Sequence, residues 1–539
     1  MSDHTARLSD TRLRPAQRTS RAITTLPLGL ARPVLINAMV LGLAGDLLLR
    51  AGLDGPAFAI WIALVALALV SLVWRAQRNV PAESQWWLAV AVLFAAAMSW
   101  RDSDDVQVLN ALAVIGSIAL AVVTLSQGGT DVLTARLRDT VISAIGPALA
   151  VMRGIVPLAV RGLFAPGARD GWMATARPAV RATLIAGVLL AVFGSLLASA
   201  DPIFASIVSL PAIELDTIAS HVLLVGFFAW LTGGLATGAL EESDGLPRRA
   251  GAPPFSLGMV DITTALATLG VLFATFVLVQ IGAMFGGEAF LRARTGLTAA
   301  EYARRGFFEM TWVVVLVLPL LLATRALLAP GQALVRRYTV LAVPVVLLLA
   351  AIIVSAAMRM KLYVHFYGFT LDRLNTLVFM GWLAVVLVLF AATVLRGREG
   401  HFVAGAMLSA LAVLAALNVV VPDRIVAREN LARSSSVVGR PMDVAYLASL
   451  GGEAADLAVA GVLRRPDTAL GADAENRCTA ARTLLRRWGA ATSRAAGFGE
   501  DGAWRTWNAG ERHATKFVAA NAVALRSVAH ETCAKASTL

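Results

Sequence analysis

Glu301, Arg305 and Glu309 stand four residues apart in the stretch EYARRGFFE, directly ahead of the apolar run TWVVVLVLPLLLA. On a helix that spacing puts the three side chains on one stripe, with a carboxylate on either side of the guanidinium. One reading is an interfacial salt-bridge ladder that fixes helix depth, since charge near lipid is tolerated when paired and turned toward protein. The other is a ligand-facing site in which Arg304 or Arg305 grips phosphate through the planar fork of guanidinium donors. A second group, RMKLYVHFYGFTLDR at 359–373, gathers Tyr363, His365, Tyr367, Asp372 and Arg373 between two apolar runs, with Gly368 supplying a turn. Aromatic rings there read as interface anchors or as part of a binding surface. His365 lacks a partner at metal-ligand spacing, so neither a metal nor another cofactor is expected. The third group, PDRIVARENLAR at 422–433, is polar and helix-like and holds Asp423, Arg428, Asn430 and Arg433.

Two smaller clusters are acidic: RDSDD at 101–105 and ADPIF at 200–204. Paired outward carboxylates on a polytopic protein are what metal-dependent transferases of lipid-linked sugars use, with Asp102, Asp104 and Asp105 as the candidates here. An ordinary acidic loop has the same composition. No CxxC, HExxH, phosphate-binding GxxxxGK or GxSxG motif occurs, and the six His are scattered.

The elements that must carry these groups are membrane helices. Of 539 residues 58% are hydrophobic and only 15% charged, against about a quarter charged in soluble domains. Spanning about 30 Å of hydrocarbon takes roughly 20 apolar residues. Segments near 31–50, 56–74, 86–100, 106–126, 182–200, 218–240, 260–284, 307–328, 338–358, 374–395 and 402–421 meet that length, the third being short and the first carrying Asp46. Trp61, Trp74, Trp86, Trp87, Trp100 and Trp230 lie at or near segment ends, where indole rings favour the interface. The stretch 127–181 is interrupted by Pro147, Arg153 and Pro157 and is placed along the cytoplasmic interface.

The net charge of +12 comes mostly from Arg in short loops. That pattern sets topology beside anionic head groups rather than marking a nucleic-acid partner. Up to residue 181 one side of the membrane carries fifteen basic residues and the other two, which puts the N-terminus in the cytoplasm. Later loops carry seven on each side and decide nothing. The expected architecture is all-α: a polytopic bundle of about eleven transmembrane helices with a small helical C-terminal domain. Residues 1–30 form a disordered cytoplasmic tail, 31–126 the first four helices, 127–181 the basic interfacial segment and 182–421 seven more helices. Residues 422–539 then lie in the periplasm. Cys478 and Cys533 both fall there, where a disulfide can form, though two buried thiols fit the sequence as well. The pairs Gly234/Gly238 and Gly282/Gly286 have small-xxx-small spacing suited to packing the chain's own helices.

EYARRGFFE before an apolar helix, RMKLYVHFYGFTLDR, PDRIVARENLAR followed by DVAYLASL, and the RDS and ADPIF stretches together resemble a bacterial integral-membrane family known as a domain of unknown function. The resemblance runs from about residue 35 to 450, with WRTWN at 504–508 an outlying match. It implies the membrane class and no site residues. With eleven crossings these motifs share the outer face, where they would converge on a vestibule capped by the C-terminal domain. Three functions remain open: an inner-membrane sensing or scaffolding protein of the envelope, a transporter of a small solute or lipid, and a transferase acting on a lipid-linked substrate. The partners expected are membrane lipid, anionic lipid among them, or another envelope protein.

Overall fold

The computed structural model describes residues 28–126, 132–135, 137–158, 182, 186, 215–240, 258–285, 307–328, 332–436, 442–464, 471–489 and 503–536. Among them the fold is helical, without β-strands. Among the described residues nine helices are long and apolar enough to cross a membrane. Residues 1–27 of the N-terminal tail, the segment 182–200 apart from residues 182 and 186, ADPIF, Gly286 and residues 301–306 of EYARRGFFE lie outside the described residues, while residues 28–30 already belong to the first helix.

The first group of helices comprises α1 (Leu28–Leu49), α2 (Pro56–Arg75), α3 (Ala82–Met98), α4 (Asp104–Leu125), α5 (Leu137–Arg153) and α6 (Leu215–Leu240). They share one apolar core that includes Trp61, Trp87, Phe94 and Phe228. The second group is α7 (Met259–Phe285), α8 (Phe307–Ala326), α9 (Gln332–Tyr367), α10 (Leu371–Thr393) and α11 (Gly400–Val420), around Tyr338, Leu349, Ile352 and Phe390. The bundle is thus two half-bundles. Asn110 of α4 and Asn418 of α11 join them through reciprocal amide hydrogen bonds of 3.0 and 2.8 Å.

Helix α3 has 17 residues, or about 25 Å of rise, fewer than any of the helices long enough to span. It nevertheless reaches both faces. Glu83 in its first turn accepts from the Leu133 N–H, and Met98 at its other end accepts from Asn508 of the C-terminal region. Asp46, the charge that weakens the first span, is taken up by Arg50 one turn on and by His221 at the start of α6. Trp74, Trp86 and Trp100 are exposed as interface rings should be. Trp61 and Trp87 are instead core residues: Trp61 donates to the Leu41 carbonyl and Trp87 to Glu83, so the indole N–H groups are satisfied inside protein.

Two faces follow from the contacts. On one, Arg78 after α2 donates to the last carbonyls of α4 and α6, and Arg325 pairs with Glu399 at 2.6 Å. On the opposite face the C-terminal helices dock, and we call it the tail face. The C-terminal domain contains α12 (Pro422–Ser436), α13 (Val444–Ser449), α14 (Ala455–Leu463), α15 (Gly471–Trp488), α16 (Ala509–Ala520) and α17 (Ala522–Ala536). Val426, Leu447, Val459, Leu484, Val518 and Leu525 are buried in its core. Cys478 and Cys533 form a disulfide between α15 and α17. Gly234 and Gly238 of α6 face α5: a Cβ added there would lie 2.7 Å from the Val151 carbonyl and 3.2 Å from that of Pro147. The two glycines thus pack the chain's own helices, and α5 runs lengthwise along the second half of α6.

Candidate functional site

Helix α3 ends in a tight turn, and the last carbonyls of a helix have no partner within it. Here the C-terminal domain supplies partners. Asn508 donates to Met98 O at 3.2 Å and Arg101 O at 2.8 Å, and the Ala509 N–H donates to Ser99 O at 3.0 Å. The same Asn508 caps α16, its Oδ1 accepting from the N–H groups of Gly510 and Glu511. One side chain thus ends one helix and begins another.

Next to this contact lies a knot of carboxylates. The Asp102 N–H donates to Glu453 Oε1 at 2.8 Å, and Asp102 Oδ2 accepts from the Gly452 N–H at 2.8 Å. Asp423, at the start of α12, accepts from the Gly451 N–H at 2.8 Å. The approach requires glycine: a Cβ on Gly452 would lie 2.4 Å from Gly510 O, and one on Gly510 would lie 2.8 Å from Asp102 Cβ. Asp423 is 1% exposed and Glu453 9%. Each keeps one buried oxygen, Asp423 Oδ2 and Glu453 Oε2, without a hydrogen bond.

Positive charge in the knot is thin. Arg101 Nη1 is 3.9 Å from Glu453 Oε1. Arg424 spends its fork on Asp456, at 3.0 and 2.9 Å, and on the Glu453 carbonyl. Burial therefore dominates the titration. It pushes Asp102 up to about 6, against the opposing pull of the Gly452 N–H and with added repulsion from Glu511. It pushes Glu453 up to about 7, opposed by the Asp102 N–H and reinforced by Asp423 and Asp102.

The other half-bundle is held through the α9–α10 turn. Gly368 has φ +86°, a left-handed conformation that favours glycine. Asn430 of α12 closes on the adjoining Phe369 from both directions: its Oδ1 accepts from Phe369 N at 3.0 Å and its Nδ2 donates to Phe369 O at 2.7 Å. Arg433 donates to Val364 O and His365 O at 2.7 and 2.6 Å, and the Tyr446 hydroxyl accepts from Leu371 N at 2.8 Å. Burial raises the Tyr446 pKa.

The candidates named from sequence divide accordingly. Tyr363, Tyr367 and Arg373 come together: the two rings are 5.0 Å apart and the Arg373 guanidinium lies 4.2 Å above the Tyr363 ring while donating to Gly368 O. Asn430 joins them across the turn, while His365 and Arg428 are exposed near it. Asp372 is exposed in the first turn of α10, and Glu309 is exposed at the start of α8. Glu301, Arg304 and Arg305 fall outside the described residues. The RDSDD carboxylates diverge, Asp102 toward Gly452 and Asp105 toward Asn375 at 2.7 Å. Among the described residues no three His, Cys, Asp or Glu side chains are arranged to hold a metal. Glu453 and Glu511 were not anticipated. The signal for Glu453 was Gly451–Gly452 ahead of it, two residues that let backbone and carboxylate approach; WRTWN pointed at Asn508 without a role.

Fold and seam together define a multi-pass α-helical membrane protein with a helical domain docked on one face of its bundle. The chain belongs to the family described as domain of unknown function (DUF4153), whose profile matches residues 88–460, a span that runs from within α3 into α14 and includes the carboxylate knot. No curated protein and no solved structure matches it.

Proposed function

We propose that this is a sensing or scaffolding protein of the bacterial inner membrane, with a cytoplasmic N-terminus and a periplasmic C-terminal domain that clamps two half-bundles. One observation carries the reading: the domain is anchored twice, at 98–102 on the first half-bundle and at 364–371 on the second. A domain so placed registers any change in how the halves sit together. The disulfide agrees with a periplasmic location, because such bonds persist in oxidising compartments.

Transport draws on one feature, the polar group of Gln280, Ser355 and Arg359 between α7 and α9. Gln280 donates to the Met310 sulfur and Asn110 pairs with Asn418, local contacts that add no support for a path. Transfer to a lipid-linked acceptor would use convergent aspartates, and Asp102 and Asp105 point apart. Partners on the tail face are envelope proteins or anionic lipid.

In-cell photocrosslinking tests the reading, with the photoreactive residue at exposed Arg428 or Glu475 of the domain and at lipid-facing Leu347 as the control. Discrete protein adducts at the first two positions and lipid adducts alone at the third are expected. Lipid alone at all three positions overturns the scaffolding role.

A further inference from the structure

We propose that the carboxylate knot of Asp102, Asp423 and Glu453 is a proton-controlled latch: it holds the C-terminal domain on the first half-bundle while protonated and loosens that side when it ionises. The inference rests on the clamp reading above and adds the stimulus to which the clamp responds.

The geometry demands a proton. Three carboxyl groups from three separate parts of the chain meet where the domain docks, and two are more than nine-tenths buried. Carboxylates crowded at a buried site cannot all ionise, because each charge raises the cost of the next. Asp423 Oδ2 and Glu453 Oε2 have no hydrogen-bond partner, although an ionised carboxylate is an acceptor on both oxygens and its buried oxygens need donors. A proton on Glu453 removes a charge and supplies a donor for a neighbouring oxygen.

Among the described residues the compensating positive charge is limited to Arg101, paired with Glu453, and Arg487, whose charge favours the ionised Asp102. From α16 the facing group is Glu511, another acid, and from the start of α4 Asp104 and Asp105 add the same sign. From α12 and α14, Arg424 and Asp456 neutralise each other, and His513 of α16 is 3.5 Å from Asp456. From α15, Arg487 is held by the carbonyls of Ser449 and Leu450. Arg101, at 3.9 Å, is the nearest cation to Glu453 among the ion pairs described.

The sign follows from linkage. Both acids hold protons more tightly when docked than when free, where they return to 3.8 and 4.5. Docking is therefore strongest in acid and weakens as pH rises through the interval that ends near 6 for Asp102 and near 7 for Glu453. The two protons belong to the coupled group rather than to one residue each.

The test is hydrogen–deuterium exchange on the full chain in lipid nanodiscs, each amide normalised to its intrinsic rate. From about pH 5 to about pH 8 the protection of Asp102, Gly451, Gly452 and Ala509 is expected to fall by roughly a hundredfold, while α9 and α10 stay constant. The double substitution Asp102→Asn with Glu453→Gln keeps both acceptors and cannot ionise. It is expected to stay protected at about pH 8 to the level the native chain shows at about pH 5. Glu453→Gln alone, which should give a shallower slope, serves if the double variant does not fold. Equal protection at every pH in the native chain removes the proton control and leaves the clamp standing. A slope unchanged by the substitutions removes the assignment to these acids. Amides unprotected at every pH remove the clamp itself.

Discussion

The residue that most clearly ties the halves together is Asn110. Its amide and that of Asn418 each donate to the other inside the bundle, at 2.8 to 3.0 Å. Such a pair contributes little on average in a membrane protein, about 0.6 kcal/mol and at most about 1.7, but removing one partner strands the other. Asn110→Ala is expected to cost about 1 kcal/mol, read as a lowered midpoint in detergent thermal unfolding, and Asn110→Leu with Asn418→Leu should recover part of it. If the double change costs the sum of the two single ones, the amides do not depend on each other. On the tail face Gly510 offers a steric counterpart. Gly510→Val places carbon where Asp102 Cβ and the Glu453 carboxyl already lie, within 2.8 to 2.9 Å of a Cβ, so it should further expose the half-buried Trp507, whose ring stands edge-on to the already exposed Trp100. A shift in tryptophan emission without loss of the membrane helices is the expected result. Types and spacing had indicated Tyr363, Arg373 and Asn430, because aromatic and basic residues beside a turn glycine stand out in an apolar chain. They could not indicate Glu453, since burial, the property that makes it unusual, depends on segments some 350 residues away.

At the scale of elements, hydropathy located the spans because a helix in lipid must satisfy its own backbone and be apolar for about 20 residues. The limits of that signal are visible in α3, whose 17 residues suffice because its two ends are finished by Glu83–Leu133 and by Asn508. They are visible again in Trp61 and Trp87. Hydropathy does not distinguish a ring at the lipid interface from one in the core, and both rings are core. In the C-terminal domain the choice between disulfide and two thiols needed the helix packing: α15 and α17 lie side by side with the two Cα atoms 5.1 Å apart. A bond closing 55 residues of chain restricts the unfolded ensemble by about 2–4 kcal/mol. Cys478→Ser with Cys533→Ser should therefore lower the unfolding midpoint of the domain and leave the spans in place. A reductant should do the same to the native chain and nothing further to the double variant. If both preparations melt alike without reductant, the bond is not formed in the protein.

At the scale of the molecule, the contacts reduce sidedness to a single binary choice. The loops at 50–55, 99–103 and 368–370 share the tail face with the C-terminal domain, through Gly55 against Arg505, Asp102 against Gly452, and Phe369 against Asn430. The turns after α2 and before α11 share the other face, Arg78 reaching the ends of α4 and α6, and Glu399 reaching Arg325. Knowing the compartment of one loop therefore fixes the rest. Counting Arg along the later loops leaves a tie because that chain segment carries its basic residues in paired motifs on both faces, whereas the first four spans place Arg75 and Arg78 away from the tail face. Alkaline phosphatase, active only outside the cytoplasm, is expected to report activity when fused after residue 54 or residue 366 and none after residue 79 or residue 398. The reverse pattern would put the domain, its disulfide and the carboxylate latch in the cytoplasm, where thiols stay reduced and pH is held steady. Agreement between the fusions after 54 and 366 tests the shared face itself. Disagreement would mean an odd number of crossings between them, incompatible with one domain gripping both loops.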